Sequence, residues 1–204
     1  TSLRRPAIIH WLGEMFDPAL AGYWGTSDLS EATEVCLAII NNHREKVHGV
    51  KLSLLDADRE RELRGRLPDG VRMYTGDDFN YPELVRGDGT RHSHALLGIL
   101  DAIAPAFSAA LAAADTGDWD SYERILIPTV ELSRHIFAAP TYHYKAGLVF
   151  LAWLNGHQPR FKMLGGMEAA RSVEHYARLL VLADRAGLVV DPELAATRMR
   201  SLIE

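Results

Sequence analysis

A lysine inside an apolar segment is the residue of this sequence that most directly suggests chemistry. Lys51 interrupts the run Gly49–Leu55, which is otherwise typical of a buried strand. Burial removes water from an ammonium group and lowers its pKa, and the neutral amine can then attack a carbonyl carbon and form a Schiff base. The same position also suits a structural ion pair with an aspartate or glutamate. The strand position alone leaves both interpretations open.

Further polar residues lie in or just after the apolar segments that we predict as strands. They are His10, Gly76, Asp77, Asp78 and Asp101. In parallel α/β barrels the catalytic groups lie where strands end and the loops to the next helices begin. These positions, together with Lys51, are therefore the ones to examine for a functional site.

Four apolar segments alternate with helical segments in the first half of the chain. The predicted strands are Ala7–Gly13, Val47–Leu55, Val71–Thr75 and Ala95–Leu100. Continuously apolar strands are buried on both faces, as in parallel sheets flanked by helices. We therefore expect an α/β fold with a parallel sheet. A helix over Pro105–Ala114 is expected next, and helical periodicity predominates from there to the end.

The pattern fits half of a barrel better than a whole one. A (β/α)8 TIM barrel has eight strands and typically about 250 residues, whereas this sequence has 204 residues. We predict strands five to eight of such a barrel over residues 1–115 and a helical extension over residues 116–204. The chain reaches its first strand directly after Thr1 to Pro6, which suggests that it begins inside a larger domain. An open, doubly wound sheet remains an alternative.

Composition excludes several classes of protein. With 48% hydrophobic and 24% charged residues the chain is too apolar for disorder, and no apolar run is long enough for a membrane helix. A net charge of −5 without a basic cluster argues against nucleic acid as a partner. The single cysteine, Cys36, and the lack of a signal-peptide pattern favour a cytoplasmic protein.

Several motifs resemble a known superfamily. The segments Gly49-Val50-Lys51, Thr75-Gly76-Asp77-Asp78 and Gly98–Pro105, followed by a Gly117-Asp118 turn, resemble the last three strands of dihydrodipicolinate synthase and N-acetylneuraminate lyase. The likeness extends over residues 7 to about 155. The strings His10–Asp17 and Tyr74–Tyr81 are similar to an uncharacterised bacterial branch, domain of unknown function 993.

The resemblance implies a lyase or class I aldolase that needs neither a cofactor nor a metal. Lys51 would form a Schiff base with a 2-oxo acid or a keto sugar, and His10, at the position of the family's tyrosine, would transfer protons. Four further positions would line the pocket or orient the substrate: Gly76, Leu97, Asp77 and Asp78. We expect Asp101 to act with them and the helical extension to form a homo-oligomer contact.

Two other functions compete with this interpretation. A metal-dependent barrel enzyme, such as a sugar isomerase, epimerase or hydratase, could draw ligands from His10, Glu14, Asp17, Asp77, Asp78, His92 and His94. His92 and His94 are expected to precede the fourth strand and to lie away from the catalytic end of a barrel. A non-catalytic interaction module is the third possibility, although an inert scaffold has no use for a costly buried lysine.

Overall fold

The sequence folds into a mixed α/β structure in which helices predominate. A computed structural model describes residues 4–204, of which 58% is helical together with one small parallel sheet. The chain forms two compact units, one ending at Gly98 and the other covering Ile99–Glu204. Within residues 4–204 no helix combines the length and the apolar character needed to cross a bilayer.

The first unit contains all four strands of the described chain. They are β1 (Ala7–Leu12), β2 (Val47–Ser53), β3 (Arg72–Thr75) and β4 (His94–Ala95). The helices between them are α1 (Leu29–Asn42), α2 (Ala57–Arg66) and α3 (Tyr81–Arg86). Every neighbouring pair is parallel, and the order in the sheet is the order in the chain. The expectation of a parallel α/β sheet is confirmed.

One face of the sheet packs against helices and forms the core of this unit. Alternate strand residues point to this face because successive side chains of a strand alternate. The buried cluster contains Trp11, Cys36, Leu37, Ile40, Val50, Leu52, Leu63 and Met73. Each such large side chain contributes roughly 1.5–3 kcal/mol when it leaves water. The apolar runs of β1 and β2 are therefore explained by this layer.

Cys36 lies in the middle of this core. Its side chain is fully buried in α1, and burial raises the pKa of the thiol to about 12. The thiol is therefore protonated and inert at neutral pH.

Aspartate side chains begin the first two helices. Asp28 accepts hydrogen bonds from the backbone N–H groups of Ser30 and Glu31, at 2.8 and 3.0 Å. Asp56 accepts one from the N–H of Arg59 at 3.1 Å. Such caps satisfy helix N–H groups that have no partner within the helix, and each contributes about 1 kcal/mol. They fix the points at which α1 and α2 begin.

The fourth strand differs from the prediction. The expected strand over Ala95–Leu100 is wrong, because β4 contains only His94–Ala95 and helix α4 already begins at Leu100. Short apolar runs suit a buried helix as well as a buried strand, and periodicity cannot separate the two. His94 belongs to the strand, whereas we expected it to precede the strand.

The second unit is entirely helical. Its helices are α4 (Leu100–Asp115), α5 (Trp119–Ile136), α6 (Tyr144–Leu154), α7 (Val173–Arg185) and α8 (Pro192–Ile203). Helix α4 begins five residues before the predicted start at Pro105. Non-helical torsion angles at Ile103 kink the helix just before that proline, which is how the proline is accommodated. Because α4 belongs to this unit, the division lies at 98/99, whereas we predicted a boundary at 115/116.

Aromatic side chains form the centre of the second unit. Phe150 contacts Phe161 and Tyr176 with ring centroids 5.3 and 4.6 Å apart. The hydroxyl of Tyr176 donates a hydrogen bond to the backbone carbonyl of Glu168 at 2.6 Å. Burying a tyrosine is favourable when its hydroxyl has such a partner. This cluster holds α6 and α7 together.

A buried polar network lies beside the sheet in the first unit. Arg64, on α2, donates hydrogen bonds to the carbonyl of Leu84 and to the hydroxyl of Ser93, both at 3.2 Å, and contacts Asp88 at 3.3 Å. Glu60 lies one turn earlier on α2 and is 1% exposed.

The surroundings of Glu60 raise the pKa of its carboxyl group. Among the described residues its carboxyl oxygens have no hydrogen-bond partner. Burial raises the pKa of Glu60 to about 7, although the nearby hydroxyls of Ser93 and Thr75 act in the opposite direction. Asp77 raises this pKa further through its negative charge. The folded protein therefore holds a proton on Glu60 that the unfolded chain releases at lower pH.

This proton makes stability depend on pH. Because the pKa of Glu60 is higher in the folded chain, stability should fall as the pH rises from about 4.5 to 7, by roughly 2–3 kcal/mol. Glu60→Gln, which is neutral at every pH, should remove this part of the pH dependence in urea denaturation. Glu62→Gln, an exposed site on the same helix, is the control and should retain it. Equal pH dependence in both variants would contradict the assignment.

Candidate active site

Four polar side chains lie side by side across the sheet. In the parallel register His10 pairs with Lys51, Lys51 with Tyr74, and Tyr74 with His94. Paired residues of parallel strands point to the same face, so these four form one row. We call them the polar row. The row lies on the face opposite to the core, because Val50 and Leu52, on either side of Lys51, belong to the core cluster.

Lys51 is half-buried near the centre of this row. Burial lowers the pKa of its amine, and the negative charge of Asp78 partly opposes the shift. Asp78 is itself 2% exposed. A lysine whose pKa is lowered keeps a larger neutral fraction near pH 7, and only the neutral amine is a nucleophile. The structure thus combines both alternatives considered for Lys51: a desolvated amine and a nearby carboxylate.

Gly76 lies directly against the lysine side chain. A Cβ at position 76 would lie 2.9 Å from Lys51 Cε and 2.9 Å from the carbonyl oxygen of Leu52, and would collide with the hydroxyl of Ser53. The backbone N–H of Gly76 donates a hydrogen bond to that carbonyl at 2.8 Å. Only glycine leaves room for the lysine side chain here.

His10 occupies the other side of Lys51. Its Nε2 lies 3.0 Å from the hydroxyl of Ser53, which is buried and two residues after the lysine on the same strand. Partial burial lowers the pKa of His10, and the positive charge of Lys51 lowers it further. The imidazole is therefore largely neutral at pH 7 and able to accept a proton. Sequence reasoning missed Ser53, although its i+2 spacing from Lys51 places it on the same face.

Tyr74 is a second residue of the site that sequence reasoning missed. It is the register neighbour of Lys51 on β3, and its hydroxyl lies 3.1 Å from Nδ1 of His48. Its ring contacts that of His94, with centroids 5.4 Å apart. The only signal in the sequence was a tyrosine one residue before Thr75 at the end of a predicted strand. We expected His10, on β1, to stand in place of the family's tyrosine. The structure has a tyrosine on β3, on the other side of the strand that contains Lys51.

Asp77 shapes the loop after β3. Its carboxylate accepts hydrogen bonds from the N–H groups of Phe79 and Asn80, at 2.7 and 2.9 Å, and from the Asn80 side chain at 3.0 Å. Its own N–H donates to the hydroxyl of Thr75 at 3.1 Å. These bonds fix the turn that leads into α3. The carboxylate of Asp77 thus orients the loop that contains Gly76 and Asp78.

The two remaining predicted residues lie further along the chain. Leu97 is 7% exposed and follows β4 in the first unit. Asp101 is exposed in the first turn of α4 and belongs to the second unit. Within the first unit the structure therefore brings together Lys51, His10 and Gly76 with the charge of Asp78.

The candidate metal ligands do not converge on one point in the part of the chain that the structure describes. Within residues 4–204 no three histidine, cysteine or carboxylate side chains are arranged to hold a metal ion. Asp17 accepts a hydrogen bond from the N–H of Ala19 at 3.0 Å and begins a short 3-10 helix. The rings of His92 and His94 contact each other with centroids 4.9 Å apart.

Comparison with known proteins identifies a family. The model of the family described as "Protein of unknown function (DUF993)" matches residues 1–204. A search of curated proteins gives no match. The family match covers the strings His10–Asp17 and Tyr74–Tyr81, from which membership was predicted, and confirms that prediction. The chain belongs to the DUF993 family.

Proposed function

We propose that this protein is a lyase of the aldolase type that forms a Schiff base between Lys51 and a small carbonyl substrate, a 2-oxo acid or a keto sugar. The observation that carries the proposal is the position of the amine. Lys51 lies on the face of a parallel sheet opposite to the core cluster, where partial burial lowers its pKa, between His10 and Tyr74 on the neighbouring strands.

The sheet order supports a barrel as the complete fold. In doubly wound sheets the strand order reverses at a switch point, whereas these four strands follow one another in sequence without reversal. We infer that they are strands five to eight of a (β/α)8 barrel related to dihydrodipicolinate synthase and N-acetylneuraminate lyase. The face with the polar row would then be the inner face of the barrel, where such enzymes bind substrate.

The proposed chemistry follows from the neighbours of the amine. Neutral Lys51 attacks the carbonyl carbon, the carbonyl oxygen takes up a proton, and loss of water leaves an imine that binds one further proton. This cation withdraws electrons from a neighbouring bond, which breaks to give an enamine. His10, neutral at pH 7, accepts and returns protons on one side of the lysine. Tyr74 is the register neighbour on the other side, and its hydroxyl is paired with Nδ1 of His48.

Other residues of the site position the amine or the substrate. Asp78 supplies a negative charge that stabilises the cationic imine, and Gly76 provides the space in which the lysine side chain lies. Direct substrate contacts by Asp77, Leu97 and Asp101 stay predictions. The cytoplasmic location and the homo-oligomer also stay predictions.

Borohydride trapping tests the Schiff base. The full chain incubated with pyruvate, other 2-oxo acids and keto sugars should give, after reduction, a mass adduct on the peptide that contains Lys51. The adduct should be absent from Lys51→Arg, which keeps the positive charge but cannot form this imine. Lys145→Arg, an exposed site on α6, is the matched control and should retain the adduct. No adduct with any carbonyl, or an equal adduct in Lys51→Arg, would contradict the proposal.

The electrostatic contact with Asp78 predicts a shift in the pH profile. The negative charge of Asp78 raises the pKa of Lys51, so Asp78→Asn should lower that pKa further. The pH at which the trapping rate is half-maximal should therefore move to lower values. Asp58→Asn, at an exposed position on α2, should leave the profile unchanged. A shift to higher pH in Asp78→Asn would be inconsistent with this arrangement.

The close approach of Gly76 predicts a steric effect. Gly76→Ala should displace the Lys51 side chain, reduce the trapping rate more than tenfold, and destabilise the fold by about 1–3 kcal/mol. Gly65→Ala, on α2 where a Cβ has open space, should instead stabilise the protein by about 0.5–1 kcal/mol and leave trapping intact. Thermal denaturation and trapping of the two variants give the comparison. Normal trapping in Gly76→Ala would show that the glycine is not needed there.

A further inference from the structure

A cavity lies where β3 and β4 begin. It has a volume of about 280 Å³ and is formed by the loop before β3, the loop before β4 and the first residues of both strands. Its lining includes Pro68–Val71, Arg72, Thr90–His92 and His94. Nothing in the proposed lysine chemistry uses this cavity.

Basic side chains outnumber acidic ones in the lining of the cavity. Arg72, Arg91, His92 and His94 all line the cavity, whereas Asp69 is the one acidic residue among those that do. Arg91 is held in place, since its guanidinium donates hydrogen bonds to the backbone carbonyls of Arg64 and Leu67 at 2.8 and 3.2 Å. Arg72 and His92 are exposed at the cavity. A positive field is therefore built into this part of the first unit.

His94 lies close to several basic groups. Burial lowers the pKa of His94, and the positive charges of His92, Arg72 and His48 lower it further. The ring of His94 also contacts Tyr74, whose hydroxyl is paired with His48. Like charges held this close repel each other unless an opposite charge lies among them. An anion in the cavity would relieve this repulsion.

We propose that this cavity binds a phosphate group, as inorganic phosphate or as part of a phosphomonoester. Guanidinium groups match phosphate oxygens with paired N–H donors, and imidazoles add further donors when protonated. Near neutral pH a phosphate group carries between one and two negative charges, a phosphomonoester about 1.5 to 2, and so balances more of the basic lining than a carboxylate does. The cavity has room for the group and for a small organic part attached to it.

Binding of phosphate and protonation of the histidines are coupled. A bound anion favours the charged imidazolium, so phosphate must raise the pKa of His94, and protonation of His94 must tighten phosphate binding by the same factor. This reciprocity gives a signal at the site itself and does not depend on any catalytic activity.

Histidine NMR of the full chain tests the site with inorganic phosphate as the probe. The ring C–H signals are assigned with His92→Gln and His94→Gln, and phosphate replaces chloride at constant ionic strength. We expect saturable shifts of both rings and a higher pKa of His94. Arg72→Gln should weaken binding roughly tenfold, as expected for loss of a charge-assisted contact. Arg160→Gln, an exposed arginine of the second unit, is the charge-matched control and should bind normally.

Three outcomes would overturn the proposal: no saturable shift, equal affinity in Arg72→Gln and Arg160→Gln, or the same shifts with chloride alone. Glycerol phosphate as a second probe distinguishes the two sources of the group. Tighter binding than inorganic phosphate would identify an esterified phosphate as the preferred ligand, and equal or weaker binding would identify the free ion. Lys51→Arg should bind phosphate like the unmodified chain, so failure of the Schiff-base proposal and failure of this one can be told apart.

Discussion

An amine that is partly removed from water in the middle of a parallel sheet imposes the main constraint on this protein. Desolvation of Lys51 is unfavourable for the charged form, so its surroundings must provide either a counter-charge or conditions in which the neutral amine persists. Both are present, because Asp78 follows the adjacent strand and Gly76 leaves the space that the side chain needs. The register with β1 and β3 then determines which groups can exchange protons with it.

The two faces of the sheet differ in composition and in burial. The helix-covered face contributes apolar burial, and the stability of the unit depends on it. The opposite face carries the polar row and is partly open to solvent: Ile8 is 40% and Leu96 is 42% exposed. The buried network of Glu60 and Arg64 lies close to the loop that follows β3. Charge on Glu60 is therefore felt by Asp77, which fixes the turn beside the lysine.

Most strands of the first unit could be predicted from the sequence, whereas the contacts between their side chains could not. The strands around His10 and Lys51 were predicted almost to the residue, since their apolar runs are bounded by clear turns and caps. The predicted strand over Ala95–Leu100 was wrong, because the periodicity of a short apolar run does not distinguish a strand from a helix. The sequence indicated His10 and Lys51 of the polar row but not Tyr74. Tyr74 becomes a neighbour of Lys51 only through the pairing of strands, and that register is decided by packing across the whole sheet.

The state of Cys36 has a practical consequence for work on this chain. It is the one cysteine of the sequence, and it is fully buried with a thiol that stays protonated at neutral pH. Maleimides and other thiol reagents attack the thiolate, so the folded chain should leave them unreacted. A cysteine introduced at an exposed position such as Tyr23 would then be the sole attachment point for a fluorophore or spin label. Site-specific labelling of the folded chain therefore does not require replacement of Cys36.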